Sequence, residues 1–190
     1  MADLQKKWDA IYRQRESSSI APAFVLSNYS YLLPKKGRAL DLACGLGGNS
    51  FFLANHGLQV DAWDISPVAI ERINKNASIS SLINASTVDI SSAQVEKNHY
   101  DVIVVSRYLN RLIVPQLIDA LRPGGLIFYQ TFTLEKAQLG GPTNPDFLLK
   151  KNELLALFSS LSVIIYHEEG CLGDTKLGFR NEALLIAEKS

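Results

Sequence analysis

The chain has 190 residues, 47% of them hydrophobic and 20% charged, the balance of a globular protein with a substantial core. Nineteen Lys and Arg offset nineteen Asp and Glu, so no basic excess marks a dedicated nucleic-acid binder. No apolar run approaches the roughly 18 residues of a membrane span. Two cysteines and three scattered histidines form no metal-ligand spacing, so no metal is expected.

The opening "MADLQKKWDAIYRQRE" is charged and lacks the apolar centre of a secretory leader, which predicts a cytoplasmic, reducing location. Within it "DLQKKWDAIYRQ" puts Leu4, Trp8, Ile11 and Tyr12 on one helical face. "APAFVLSNYSYLL" reads as a second helix, and Pro34 and Gly37 then punctuate the chain. Residues 1–35 are expected to form a helical cap and 36–190 the body of one domain.

From residue 38 onward strands and helices alternate. "RALDLA" is a short buried strand, and "GNSFFLANHG" a helix that stops at Gly57. "LQVDAWD" is the next strand. "SPVAIERINKNA" follows as a helix, with Ser66 as N-cap and Pro67 at its first position, both favoured there. "ASTVDI" is a weak strand and "YDVIVVSRYL" a strong one; "RLIVPQLIDALRPGG" reads as a helix closed by Pro-Gly-Gly. "LIFYQTF" is a strand and "KKNELLALFSS" a helix. "LSVIIYHEE" and "RNEALLIAEK" are two last strands with no room for a helix between them. Such alternation predicts an α/β fold, a doubly wound and mostly parallel seven-stranded sheet with a C-terminal antiparallel hairpin.

Ligands of doubly wound sheets sit beyond the carboxyl ends of the strands, where the winding reverses. The turn "LDLACGLGGNS" follows the first strand, and its bare backbone at Gly45 and Gly47 lets a flat ligand approach the main chain. Asp64 ends the second strand, nineteen residues after Gly45, and a carboxylate there offers two coplanar acceptors to vicinal ribose hydroxyls. A dinucleotide fingerprint would carry a third glycine where Ser50 stands, and Asp41 would repel a pyrophosphate. A nicotinamide oxidoreductase is therefore disfavoured, and no Gly-Lys-Ser/Thr forms a P-loop. The charges favour a nucleoside with a cationic 5′ end, which S-adenosylmethionine (SAM) provides.

In order and spacing, "LDLACGLGGNS", "VDAWDIS", "STVDI", "YDVIVVSRYL" and "LRPGGLIFYQTF" resemble the successive motifs of class I SAM-dependent methyltransferases. The resemblance spans roughly residues 36–132. The opening "KKWDAIYRQ" is most similar to small methyltransferases of the tellurite-resistance type, and Ala43 stands where that family has its first glycine. The resemblance implies SAM as cofactor, with Asp41, Ala43, Cys44, Gly45 and Gly47 facing its methionine part. Asp64 would hold the ribose and Ile65 one face of the adenine. Asp89 would accept from the adenine amino group beside Ile90, and Ser106 would lie near the methyl-bearing end. Trp8 or Tyr12 would close over the cofactor.

Methyl transfer needs alignment and exclusion of water more than a catalytic triad, so no residue is assigned as catalytic. Arg107, Tyr108 and Arg111, beyond the fourth strand, are candidate acceptor-binding residues. If the segment is helical, the two guanidiniums stand four apart and would suit an anion. Residues 133–147, a long Gly- and Pro-rich stretch, would form part of the acceptor wall. A small-molecule acceptor is expected ahead of a protein one, and the sequence sets no oligomeric state. The alternative from another class is a SAM-binding module that serves as a non-catalytic partner subunit.

Overall fold

The computed structural model describes residues 2–15, 20–76 and 80–190. Seven strands form one sheet: β1 (Gly37–Leu42), β2 (Leu58–Asp64), β3 (Ile83–Thr87), β4 (Tyr100–Ser106), β5 (Leu121–Phe132), β6 (Ser162–His167) and β7 (Glu182–Glu188). Their order is β3-β2-β1-β4-β5-β7-β6. The first five run parallel, and β7 inserts antiparallel between β5 and β6. The chain winds outward from β1 in one direction and from β4 in the other. The β1–β4 junction is thus the point where ligand crevices open in such sheets.

Helices α1 (Ala2–Gln14), α2 (Phe24–Asn28), α3 (Gly48–Asn55), α4 (Pro67–Lys75), α5 (Val114–Ala120) and α6 (Glu153–Leu157) cover the two faces. Alternation along β1 sorts its side chains. Leu40 and Leu42 enter a core shared with Leu117 of α5 and Leu154 of α6. Ala39 enters the opposite core, with Leu53 of α3, Ile73 of α4 and Val25 of α2. By the same alternation Asp41 falls on the α2–α3–α4 face, where α3 meets it with polar residues.

The N-terminal segment is tied to the body by specific contacts. Asp9 of α1 accepts from the Ser66 hydroxyl at 2.5 Å. Arg72 of α4 donates to the carbonyls of Arg15 and Arg13, at the end of α1. Asn49 Oδ1 accepts the Ala23 amide at 2.8 Å, and Gln130 Oε1 the Val25 amide at 2.7 Å. These two bonds satisfy donors at the start of α2 that an uncapped helix would leave open.

Several boundaries differ from the sequence reading. The helix expected over 111–125 is a 3₁₀ turn, Arg111–Ile113, followed by a short α5. Pro115 lies in the first turn of α5, where its missing N–H is harmless. The "LRPGG" stretch is extended and belongs to β5, because Pro123 pushes Arg122 out of helical geometry. Four β5 residues between Leu121 and Leu126 stand against one on β4, Asp101, in a bulge, with Gly124 at φ 77°. β3 covers residues 83–87 rather than 85–90, and the fourth strand stops at Ser106. α6 spans five residues of the eleven expected, opening behind Asn152 at φ 61°. Ser66 caps α4 as expected, accepting the Ala69 amide; Ala77, the last residue assigned to that helix, lies outside the described residues, as do 1 and 16–19 of the expected cap.

Candidate active site

A crevice of about 990 Å³ opens beyond the carboxyl ends of β1, β2 and β4, under α1 and the segment leading into α2. The turn after β1 forms its floor. Ala43 sits at φ 57°, Gly45 at 54° and Gly47 at 86°. The left-handed Ala43 carries a steric penalty of about 1–2 kcal/mol that glycine would avoid.

At one end stands Asp64, 4% exposed. Its Oδ2 accepts the Gly45 amide at 2.9 Å and its Oδ1 the Ser66 amide at 2.9 Å. The Tyr12 hydroxyl reaches the same Oδ2 at 3.5 Å, and Trp8 stacks on Tyr12 with centroids 5.6 Å apart. Burial raises the Asp64 carboxyl above its usual range, against the pull of the Ser66 and Gly45 amides. It also raises the Tyr12 phenol, reinforced by the Asp64 charge.

Next to it lies Asp89, two residues beyond β3. Oδ1 accepts from the Ser91 amide and hydroxyl, at 3.0 and 2.6 Å. Oδ2 is buried and has no hydrogen-bond partner among the described residues. A buried carboxylate oxygen left unpaired is costly and needs a donor from somewhere. Ile65 and Ile90 also line this part of the crevice.

Towards the middle, Asn49 of α3 is a hub. Besides holding Ala23, its Nδ2 donates to Ser106 Oγ at 3.1 Å and to Asp41 Oδ1 at 3.4 Å. Asp41 is fully buried and accepts the Ser50 hydroxyl at 2.5 Å. Burial pushes its carboxyl up to about 7, with the Ser50 and Asn49 hydrogen bonds pulling down. Burial also raises the neighbouring Cys44 thiol well above its usual value, so that thiol stays protonated at neutral pH.

The far end is formed by Arg107, Tyr108, Gln130, Phe132, Phe179, Arg180 and Glu182. Glu182 is 8% exposed; Oε1 pairs with Arg107 Nε at 3.1 Å, and Oε2 accepts from Gln130 Nε2. Gln130 thereby joins the N-terminal segment to this carboxylate.

Of the residues singled out from the sequence, Trp8, Ala43, Cys44, Gly45, Asp64, Ile65, Asp89, Ile90, Ser106, Arg107 and Tyr108 line the crevice. Three do not. Asp41 lies one layer behind, beneath Asn49 and Ser50. Gly47 is the N-cap of α3, and a Cβ there would come within 2.9 Å of Ile73, so it serves helix packing. Arg111 grips Glu153 at 2.6 and 2.9 Å and the carbonyls of Asp146 and Leu148. Arg107 sits at φ 53° outside any helix, so the two guanidiniums share no helical face. From residues 133–147 the crevice takes only Gly141 among its walls.

The sequence reading missed Asn49, Gln130 and Glu182. Gln130 had a signal, as an amide inside the apolar strand "LIFYQTF". Glu182 had none, because its position depends on how β7 pairs with β5.

The model of a family described as "Tellurite resistance protein TehB" matches residues 15–177. The chain belongs to the TehB family. A curated relative from Haemophilus influenzae, named "Probable S-adenosyl-L-methionine-dependent methyltransferase TehB", is 36% identical over 139 residues, 69% of this chain and 48% of the relative. The chain thus spans about half the length of the curated TehB relatives it matches. The crystal structure of TehB from Haemophilus influenzae shares the fold, with a TM-score of 0.71 at 23% identity, covering 96% of this chain and 67% of that one. An S-adenosylmethionine-dependent methyltransferase from Mesorhizobium loti also shares it, with a TM-score of 0.71 at 17% identity over 90% of this chain and all of that one. Across the described residues of this TehB-family chain, no helix is long and apolar enough to cross a membrane.

Proposed function

We propose that this TehB-family chain is a SAM-dependent methyltransferase that acts on a small molecule in the cytoplasm. The observation that carries the reading is Asp89 Oδ2, buried at the crevice wall with no hydrogen-bond partner among the described residues. An adenine amino group is a donor of the right kind for it, with Ile65 and Ile90 against the purine faces. Asp64 Oδ1 accepts one backbone amide and keeps a lone pair for a ribose hydroxyl, and a second hydroxyl would replace the long Tyr12 contact on Oδ2. The methionine part would lie along the 43–45 turn and Asn49, with the buried Asp41 behind them. Membership of a family whose curated relatives carry that activity in their names supports the same reading.

SAM held by Asp64, Asp89 and the 43–45 turn would supply a sulfonium-activated methyl group for the acceptor, with S-adenosylhomocysteine as its spent form. The chain's part is positioning and exclusion of water, and positioning alone is worth roughly 7–11 kcal/mol of barrier. Asp64 and Asp89 fix the nucleoside, Asn49 aligns Ser106, and Trp8 and Tyr12 cover the crevice.

Calorimetric titration with SAM, S-adenosylhomocysteine and NAD tests the reading. Saturable binding of both adenosyl ligands and none of NAD is expected; binding of NAD alone would overturn it.

A further inference from the structure

We propose that the methyl acceptor is an organic carboxylate with a flat apolar body, its carboxylate held by the outer edge of the Arg107 guanidinium. The proposal rests on the SAM reading, which assigns the Asp64–Asp89 end of the crevice to the nucleoside and leaves the far end to the acceptor. Arg107 is the first residue beyond β4 and stands at φ 53°, a region that residues other than glycine rarely adopt. Its amide donates to the Gln130 carbonyl at 2.8 Å, and its Nε to the buried Glu182 at 3.1 Å. These two bonds hold the side chain in the crevice wall, with the guanidinium over the Phe132 ring at 5.9 Å. Unfavourable backbone geometry that neighbours hold in place is a feature of ligand clamps.

Glu182 occupies Nε alone. The Arg107 side chain is 65% exposed, and neither of its Nη atoms donates to an acceptor among the described residues. The outer edge of the fork is therefore open, and a planar carboxylate matches it with two parallel hydrogen bonds. Arg180, at the same end, offers no such edge. Its side chain is 10% exposed, pairs with Glu169 at 3.2 Å and donates to the carbonyls of Leu177, Gly170 and Asp174. The pairs Arg107–Glu182 and Arg180–Glu169 are each neutral in formal charge, so a carboxylate entering beside a sulfonium leaves this end without net charge. The acceptor's body meets phenyl rings. Phe24 stacks on Phe179 with centroids 5.1 Å apart and planes 25° from parallel; both line the crevice, and Phe24 is 42% exposed. Open ring surface beside a guanidinium favours a flat apolar body over a small hydrated anion, through stacking and burial.

Saturation-transfer NMR on the protein loaded with S-adenosylhomocysteine tests this without turnover. The probes are benzoate, phenylacetate and 3-phenylpropionate, each set against its own primary amide, with acetate and inorganic phosphate as anions that lack the apolar body. At least one aryl carboxylate is expected to half-saturate at a concentration tenfold or more below its amide and below both small anions. Arg107→Gln should erase the advantage over the amide. Arg107→Lys, which keeps the charge without the planar fork, should retain part of it, and nucleoside affinity should be unchanged in both variants. The proposal is overturned if no aryl carboxylate shows that tenfold preference, if acetate or phosphate binds as tightly, or if the preference survives Arg107→Gln. Failure of the nucleoside to load would instead contradict the SAM reading.

Discussion

Asp64 Oδ2 and the Gly45 amide meet at 2.9 Å across nineteen residues, so the acid at the end of β2 fixes the turn at the end of β1. One carboxylate both shapes the crevice floor and faces the ligand. Asp64→Ala is expected to weaken SAM by about 2–3 kcal/mol, the usual loss when charge-assisted hydrogen bonds disappear. Calorimetry on the folded variant measures it, and an unchanged dissociation constant would remove Asp64 from the ribose site.

Asp41 should make stability depend on pH. Burial raises its carboxyl from an ordinary value of 3.8 to about 7. Between those values the native chain holds a proton that the unfolded chain has released. Its contribution to stability therefore falls as pH rises through that window and levels off above about 7, a change on the order of 4 kcal/mol. Asp64, also raised, adds a slope of the same sign. Asp41→Asn should flatten the profile between pH 4 and 7 in urea denaturation; a slope as steep as that of the parent would contradict this.

Ala43 pays a local penalty in the left-handed region, at φ 57°. Ala43→Gly relieves it, less the extra freedom that glycine gives the unfolded chain. A net gain of roughly 0.5–1 kcal/mol is expected, seen as a higher urea midpoint at constant slope. A lower midpoint would show that the turn tolerates the methyl without strain.

Arg111 holds α6 and residues 146–148 to the chain before α5 through its grip on Glu153. Arg111→Ala should destabilise the fold by about 2 kcal/mol, less than for a fully buried pair because the arginine is one-third exposed. SAM affinity should not change. A loss of SAM binding at unchanged stability would return Arg111 to the site.

The order of elements was legible because the sheet is buried on both faces, so its strands read as apolar runs between helix periods. The seven-stranded sheet and its antiparallel C-terminal pairing follow from that pattern. Helix ends were less legible. Residues 121–125 carry a helix-closing signature, yet pairing with β4 draws them into a bulged strand. In the crevice, residues on the strand-end turns, such as Gly45 and Asp64, could be named because local order places them. Asp41 could be named too, but alternation along β1 turns it towards α3 and beneath Asn49. Glu182 and Gln130 meet only through the β5–β7 register, which no local pattern encodes.

A crystal structure with S-adenosylhomocysteine bound is the most direct test of the crevice as a nucleoside site. The account predicts ribose hydroxyls within hydrogen-bond distance of Asp64 and the purine amino group donating to Asp89 Oδ2. A purine seated elsewhere, with Asp89 Oδ2 still lacking a donor, would contradict it.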